Sequence, residues 1–148
     1  MRHIRHARGP TAIVSLEFIL VGRHDHDVWT YSYVNAGHNP PLIFRKGCSV
    51  IRLDVGGPVV GLLPAFPYRQ AALELESGDL FVSFTVGISE AMNAADPEWG
   101  EDRLIDQAWK SAGLSAAETM REIIAAVDKL VAGAKQHDDM TIITARIR

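Results

Sequence analysis

Hydrophobic and polar positions follow two different periods along this chain, and the change from one to the other divides it into a strand-rich first half and a helix-rich second half. Residues 12 to 22 and 28 to 36 read as two strands rich in β-branched and aromatic side chains, Val28, Tyr31, Tyr33 and Val34 among them. The polar run Arg23-His24-Asp25-His26-Asp27 is predicted to turn between them. A second hairpin is predicted from residues 41 to 45 and 48 to 53 around Lys46-Gly47, where glycine can take the positive φ of a tight turn. Gly56-Gly57-Pro58 reads as a loop, and Tyr68 to Glu76 alternates toward Leu73 and Leu75. Ser77-Gly78-Asp79 then turns the chain into a strong strand over Leu80 to Phe84.

The second half carries clearer helix signals. Ser115 with Glu118 three residues on is a capping box, which satisfies two orphan backbone donors at a helix start. Met120, Ile123, Ile124, Val127, Leu130 and Val131 follow at 3.6-residue spacing, so an amphipathic helix is predicted over about 116 to 132 with Gly133 as its stop. A shorter helix over Glu101 to Lys110 buries Leu104, Ile105, Ala108 and Trp109, and Met140 to Ile147 reads as a closing strand. Antiparallel sheets flanked by helices give an α+β layered domain.

Composition narrows the possibilities. The chain has 148 residues, a common size for one domain, and its 47% hydrophobic content is enough for a real core. With 15 Lys+Arg against 18 Asp+Glu, the net charge of -3 gives no electrostatic footprint for nucleic acid. The start, positive and then apolar from Ala12 to Val21, superficially resembles a secretory signal, but Glu17 interrupts it and no small-residue cleavage site follows. A buried strand is expected there instead, preceded by an unstructured or displaced leader over residues 1 to 11. No run approaches the ~18 apolar residues of a membrane-spanning helix. A single cysteine, Cys48, cannot form an intrachain disulfide and reads as a semi-buried structural thiol, which fits a cytoplasmic setting.

Three segments carry candidate chemistry: Tyr33-Val34-Asn35-Ala36-Gly37-His38-Asn39-Pro40-Pro41, Phe81-Val82-Ser83-Phe84-Thr85-Val86-Gly87-Ile88-Ser89-Glu90-Ala91, and Gln136-His137-Asp138-Asp139-Met140-Thr141. Together they resemble the type-2C metal-dependent protein serine/threonine phosphatases, in the bacterial branch typified by stage II sporulation protein E. Glu90-Ala91-Met92-Asn93 and Trp99-Gly100-Glu101-Asp102-Arg103-Leu104 fit the same branch. The resemblance implies hydrolysis of a phosphoserine or phosphothreonine ester by a hydroxide bridging two Mn²⁺ or Mg²⁺ ions about 3.5 to 4 Å apart. It also implies a regulatory partner, a phosphorylated protein of the anti-anti-sigma type.

Such ions need several carboxylates, which the family draws from a Gly-Asp-x-Tyr/Phe-Asp strand, a Thr/Ser-Asp-Gly turn, and an Asp-Asp/Asn-x-Thr turn before the last strand. Asp138 matches the ligand of the third source, and Asp139 follows it. In the second, Val86 stands where the ligand aspartate is expected, and an aliphatic side chain has no lone pair for a hard cation. The first pattern is not found before Thr11. The resemblance therefore covers residues 12 to 148 and reads as the C-terminal two-thirds of a family domain, truncated and short of ligands. His38, Asn39, Gly87, Glu90 and Asp139 are expected to be structural or supporting, with no catalytic residue intact.

His24-Asp25-His26-Asp27 alternates imidazole and carboxylate in a pattern that suits Zn²⁺ or Ni²⁺, yet a polar hairpin tip accounts for the same residues without a metal. Three readings of function follow: an active phosphatase with ligands supplied from elsewhere, a non-catalytic pseudophosphatase that binds a partner, or a gene fragment. Loss of neighbouring strands also predicts a homodimer through an exposed sheet edge near residues 12 to 22.

Overall fold

The computed structural model describes residues 18–25, 28–47, 49–93, 98–134 and 138–148, with side chains from residue 30 onward. The leader, the expected strand start at residues 12–17, His26, Asp27, Cys48 and the pair Gln136-His137 lie outside the described residues. Among the described residues eight strands and three helices follow in the order β1 (Phe18–Asp25), β2 (Val28–Ala36), β3 (Leu42–Arg45), β4 (Ser49–Arg52), β5 (Gly56–Gly57), β6 (Ala71–Leu75), β7 (Leu80–Phe84), α1 (Val86–Ser89), α2 (Gly100–Lys110), α3 (Ala116–Val131) and β8 (Ile142–Arg146).

Two sheets and a helical layer result. In one sheet β2 pairs with β1 on one side and with β6 and the short β5 on the other. The second runs β4-β3-β7-β8, all antiparallel. The α+β expectation holds, with one parallel pairing, β2 with β5, inside an otherwise antiparallel arrangement.

Strand alternation builds two cores from single strands. Leu80, Val82 and Phe84 of β7 and Leu42 and Phe44 of β3 face the helices, where they pack with Ile88, Trp99, Leu104, Ala108, Ile123 and Val127. The opposite faces of the same strands, through Ile43 and Phe81, meet Tyr33, Leu53, Leu73 and Leu75 between the sheets. At about 25 cal/mol per Å² of apolar area buried, the first and larger cluster supplies most of the folding drive.

Several elements differ from expectation for physical reasons. Arg23, His24 and Asp25 are not turn residues: β1 continues through them, and Asp25 pairs with Val28. The ladder is made by backbone N–H and C=O groups, so polar residue types do not by themselves interrupt it. Gly56-Gly57 is a strand rather than a loop, held against Asn35 and Ala36, and a Cβ at Gly56 would lie only 1.7 Å from the Asn35 carbonyl oxygen. The helix α3 ends one residue before its expected stop. Ala132 takes the left-handed conformation, φ 48°, and Gly133 follows at φ 82°. The capping box forms as predicted: Ser115 Oγ accepts from the Glu118 N–H, while the Glu118 carboxylate accepts from the Ser115 N–H at 2.9 Å and from its hydroxyl at 2.7 Å. Those two bonds from Ser115 hold the Glu118 carboxyl below its ordinary value.

Candidate functional site

The site grows out of the far end of β7. Thr85 continues the strand for one step: its N–H donates to the Thr141 carbonyl at 3.0 Å. Its hydroxyl then donates to the Asp139 carbonyl and accepts from the Thr141 N–H, both at 3.0 Å. Thr85 thus uses its side chain across the sheet and makes no side-chain cap on α1. The chain turns at once into α1, a four-residue helix that the sequence pattern did not predict because it is too short to show a period.

Gly87 is required by contact rather than by conformation. A Cβ there would sit 2.5 Å from the Asp139 carbonyl oxygen and 3.1 Å from that of Asp138. The segment 85 to 87 therefore lies flat against the backbone of the Asp138-Asp139 turn, and any larger residue than glycine would force them apart. Asp138 Oδ1 accepts the Asp139 N–H at 2.8 Å, which shapes that turn from within.

The other wall comes from the loop after β2. Asn35, 4% exposed, accepts the His38 N–H at 2.9 Å and donates through Nδ2 to the carbonyls of His38 and Leu53. This residue fixes the loop, and the sequence reading named it only as part of a motif; its place at the last turn of a strand, three residues before His38, is the signal that marks an Asx-type brace. His38 Nδ1 lies 2.7 Å from the Asn39 carbonyl, a hydrogen bond that places a proton on Nδ1. Asn39 Nδ2 reaches Ser89 Oγ at 3.4 Å, and Ser89 Oγ donates to the Val86 carbonyl at 3.2 Å. His38 thus bonds loop backbone, whereas the bond from Asn39 goes to a side chain.

Two clefts open on this edge. One, about 610 Å³, is lined by His38, Asn39, Thr85, Val86, Asp138 and Asp139. Its neighbour, about 410 Å³, is lined by Glu90, Asp128, Met140 and again Asp138. The fold therefore brings Val86, Gly87, Asp138, Asp139, His38 and Asn39 to one place and sets Glu90 on the other side of Asp138. Asp128, on α3, joins them without any sequence signal, since it sits on a helix face that reads as solvated.

Whether this edge suits a pair of Mn²⁺ or Mg²⁺ ions depends on its donors, because hard cations take six or more oxygens between protein and water and two of them need several shared carboxylates. The larger cleft offers two carboxylates, and Val86, 39% exposed, lines it with an aliphatic side chain. Among the described residues no three His, Cys, Asp or Glu side chains converge as a ligand set. The described residues at this edge do not fit the two-ion centre. His24 belongs to a strand ladder, opposite Trp29.

Comparison with known proteins places this geometry. The profile described as stage II sporulation protein E matches residues 9–148. The chain is 30% identical over 117 residues to protein IcfG of Synechocystis, covering 76% of this chain and 18% of that protein. Against phosphoserine phosphatase RsbU of Bacillus subtilis it is 29% identical over 126 residues, covering 83% of this chain and 36% of that one. Both relatives are thus much longer than the segment they share with it. Among solved structures, the SiaA-PP2C domain of Pseudomonas aeruginosa superposes with a TM-score of 0.68 at 22% identity, over 82% of this chain and half of the other. The fold likeness and the profile match over nearly the whole length agree: the chain belongs to the stage II sporulation protein E family of phosphatase domains.

Proposed function

We propose that this domain serves sigma-factor regulation by recognising a serine- or threonine-phosphorylated protein of the anti-anti-sigma type, and that the 148-residue chain does not hydrolyse the phosphate. RsbU, to which it is similar, is itself named a phosphoserine phosphatase, which supports the substrate class. The observation that carries the second half of the proposal is Val86. It occupies an open, 39% exposed position beside Asp138, where the family chemistry needs an oxygen ligand. The reading is supported by the surrounding framework, in which the Thr85 brace and the close approach of Gly87 hold the Asp138-Asp139 turn beside Val86.

The test is hydrolysis of an aryl phosphate and of a phosphoserine peptide by the purified chain in excess Mn²⁺ or Mg²⁺. No turnover above the metal blank is expected. Turnover that disappears on Asp138→Ala would overturn the reading and assign hydrolysis to this chain. Self-association through a sheet edge belongs to the same proposal, since β1 pairs only with β2 among the described residues. Light scattering is expected to show a dimer or larger species, and a monomer at high concentration would remove that part. No helix among the described residues is long and apolar enough to cross a membrane.

A further inference from the structure

At the end of the molecule away from the phosphatase-type edge, β8 carries Arg146 opposite Leu80. Its Nη1 donates to the Gly78 carbonyl at 3.1 Å. Its Nε and Nη2 are covered, each with under 1 Å² of surface, and donate to nothing. These two nitrogens form the side-on fork of a guanidinium, whose parallel N–H bonds match the two oxygens of a carboxylate. Withholding such a fork from both water and protein is costly, so a charged donor edge in this state calls for an acceptor.

A cavity of about 470 Å³ adjoins it, between the β3–β4 hairpin, the turn before β7 and the end of α2. Arg146 and Lys46 supply two cationic side chains to its wall, and no Asp or Glu is among the residues that line it. The nearby Asp79 is already engaged by Arg45 and by the Glu76 N–H. Phe44 and Trp109, in edge contact at 5.3 Å and 84°, form an aromatic floor. The mouth is open, since a Cβ added at Gly47 or Gly78 would meet no atom within 4 Å.

We infer that this cavity binds a carboxylate carried on an apolar body: the carboxylate pairs with the Arg146 fork, Lys46 adds positive charge at the rim, and the apolar portion rests on Phe44 and Trp109. Presenting the fork takes a rotation of the Arg146 side chain into the cavity it already lines, exchanging the Gly78 carbonyl for the ligand. This site is separate from the Asp138 edge and independent of its chemistry.

Thermal unfolding of the 148-residue chain, with tryptophan fluorescence as a second signal from Trp109, would be followed against benzoate and octanoate. Chloride and inorganic phosphate at matched ionic strength are the comparison. A saturable rise in Tm of about 3 to 6 °C is expected once either carboxylate reaches about ten times its Kd. Arg146→Leu is expected to abolish that rise while leaving the ligand-free Tm equal or higher, because it removes an unpaired covered charge. Arg146→Lys keeps the charge and loses the fork, and should weaken binding about tenfold or more. The inference fails if neither carboxylate gives a saturable shift, if phosphate matches them, or if Arg146→Leu lowers the ligand-free Tm as the loss of a purely structural donor would.

Discussion

Strand β7 begins and ends on an aspartate-type turn, and the two ends have been treated differently. At its start Asp79 is 1% exposed and fully engaged: Arg45 Nε lies 3.2 Å from both carboxylate oxygens, Arg45 Nη2 reaches Oδ2 at 2.7 Å, and the Glu76 N–H adds a fourth bond at 2.9 Å. Arg45 meanwhile reaches the Glu74 carbonyl and the Glu76 carboxylate, so one guanidinium ties β3 to the whole turn. At the far end the carboxylates of Asp138 and Asp139 are exposed, and backbone contacts to Thr85 and Gly87 hold the turn. The first turn is held by an ion pair to another strand, and the second by backbone contacts together with the local bond from the Asp139 N–H to Asp138 Oδ1. On the proposal made above, a residue without a carboxylate can stand at Val86 while the strand end keeps its form.

Removing the charge at the first end should have the largest effect. Asp79→Ala leaves the half-buried Arg45 without its main partner and strips an acceptor from the Glu76 N–H, a loss of about 3 kcal/mol or more. For a chain of this size that corresponds to a fall in Tm of roughly 6 to 12 °C. Asp79→Asn, which keeps one acceptor in place, should lose about half as much. Equal losses for the two, followed by urea denaturation, would mean that packing and not charge holds this turn.

Gly87→Ala tests the second end through sterics alone. The added methyl must push the Asp139 carbonyl outward from 2.5 Å, an overpacking that typically costs about 1 to 3 kcal/mol. Gly113→Ala is the control, because nothing lies within 4 Å of a Cβ there. It should leave stability within about 0.5 kcal/mol. A smaller cost at Gly87 than at Gly113 would show that the 138–139 turn is free to move, and the brace would not be what keeps the edge in shape.

How much of this was legible from the sequence follows the same division. The turn Ser77-Gly78-Asp79, the strand Leu80–Phe84 and the capping box at Ser115 were all readable, because each depends on local chemistry: a turn triplet, strict alternation, a hydroxyl and a carboxylate three residues apart. The site was legible as motifs: the fold brings His38, Asn39, Val86, Asp138 and Asp139 to one cleft and sets Gly87 against the Asp138-Asp139 backbone. What escaped depends on contacts between distant segments. The parallel pairing of Gly56-Gly57 with Asn35-Ala36 has no period, Thr85's bonds cross 54 and 56 residues, and Asp128 reaches the site only through the packing of α3.

Thr85→Val should have a smaller effect than either change above. It is nearly isosteric and removes the hydroxyl that links the Asp139 carbonyl to the Thr141 N–H, at a cost of about 1 kcal/mol, because water can reach both groups at this exposed edge. Thr85→Ser should retain most of the stability. If valine and serine behave alike, the backbone bond from Thr85 N–H to the Thr141 carbonyl is sufficient and the hydroxyl contributes little.

The smallest effect on stability is expected where the chemistry changes most. A dry strand end would make Val86→Asp expensive, since an unpaired buried carboxylate is driven toward protonation. The structure instead leaves Val86 39% exposed on the open cleft, so an introduced carboxylate stays hydrated and should change stability by no more than about 0.5 kcal/mol. It would stand in the same cleft as Asp138 and Asp139 and add a third carboxylate to the edge. Millimolar Mn²⁺ is then expected to raise the Tm of Val86→Asp by about 1 to 3 °C and that of the parent chain not at all. Hydrolysis should still be absent, because three carboxylates on one edge bind one hard ion weakly and do not organise two. A parent chain that responds to Mn²⁺ as strongly as the variant would show that Val86 is not the missing ligand position. Hydrolysis by the single variant would show that the other ligands are already in place, and the contrast between the two ends of β7 would come down to one residue.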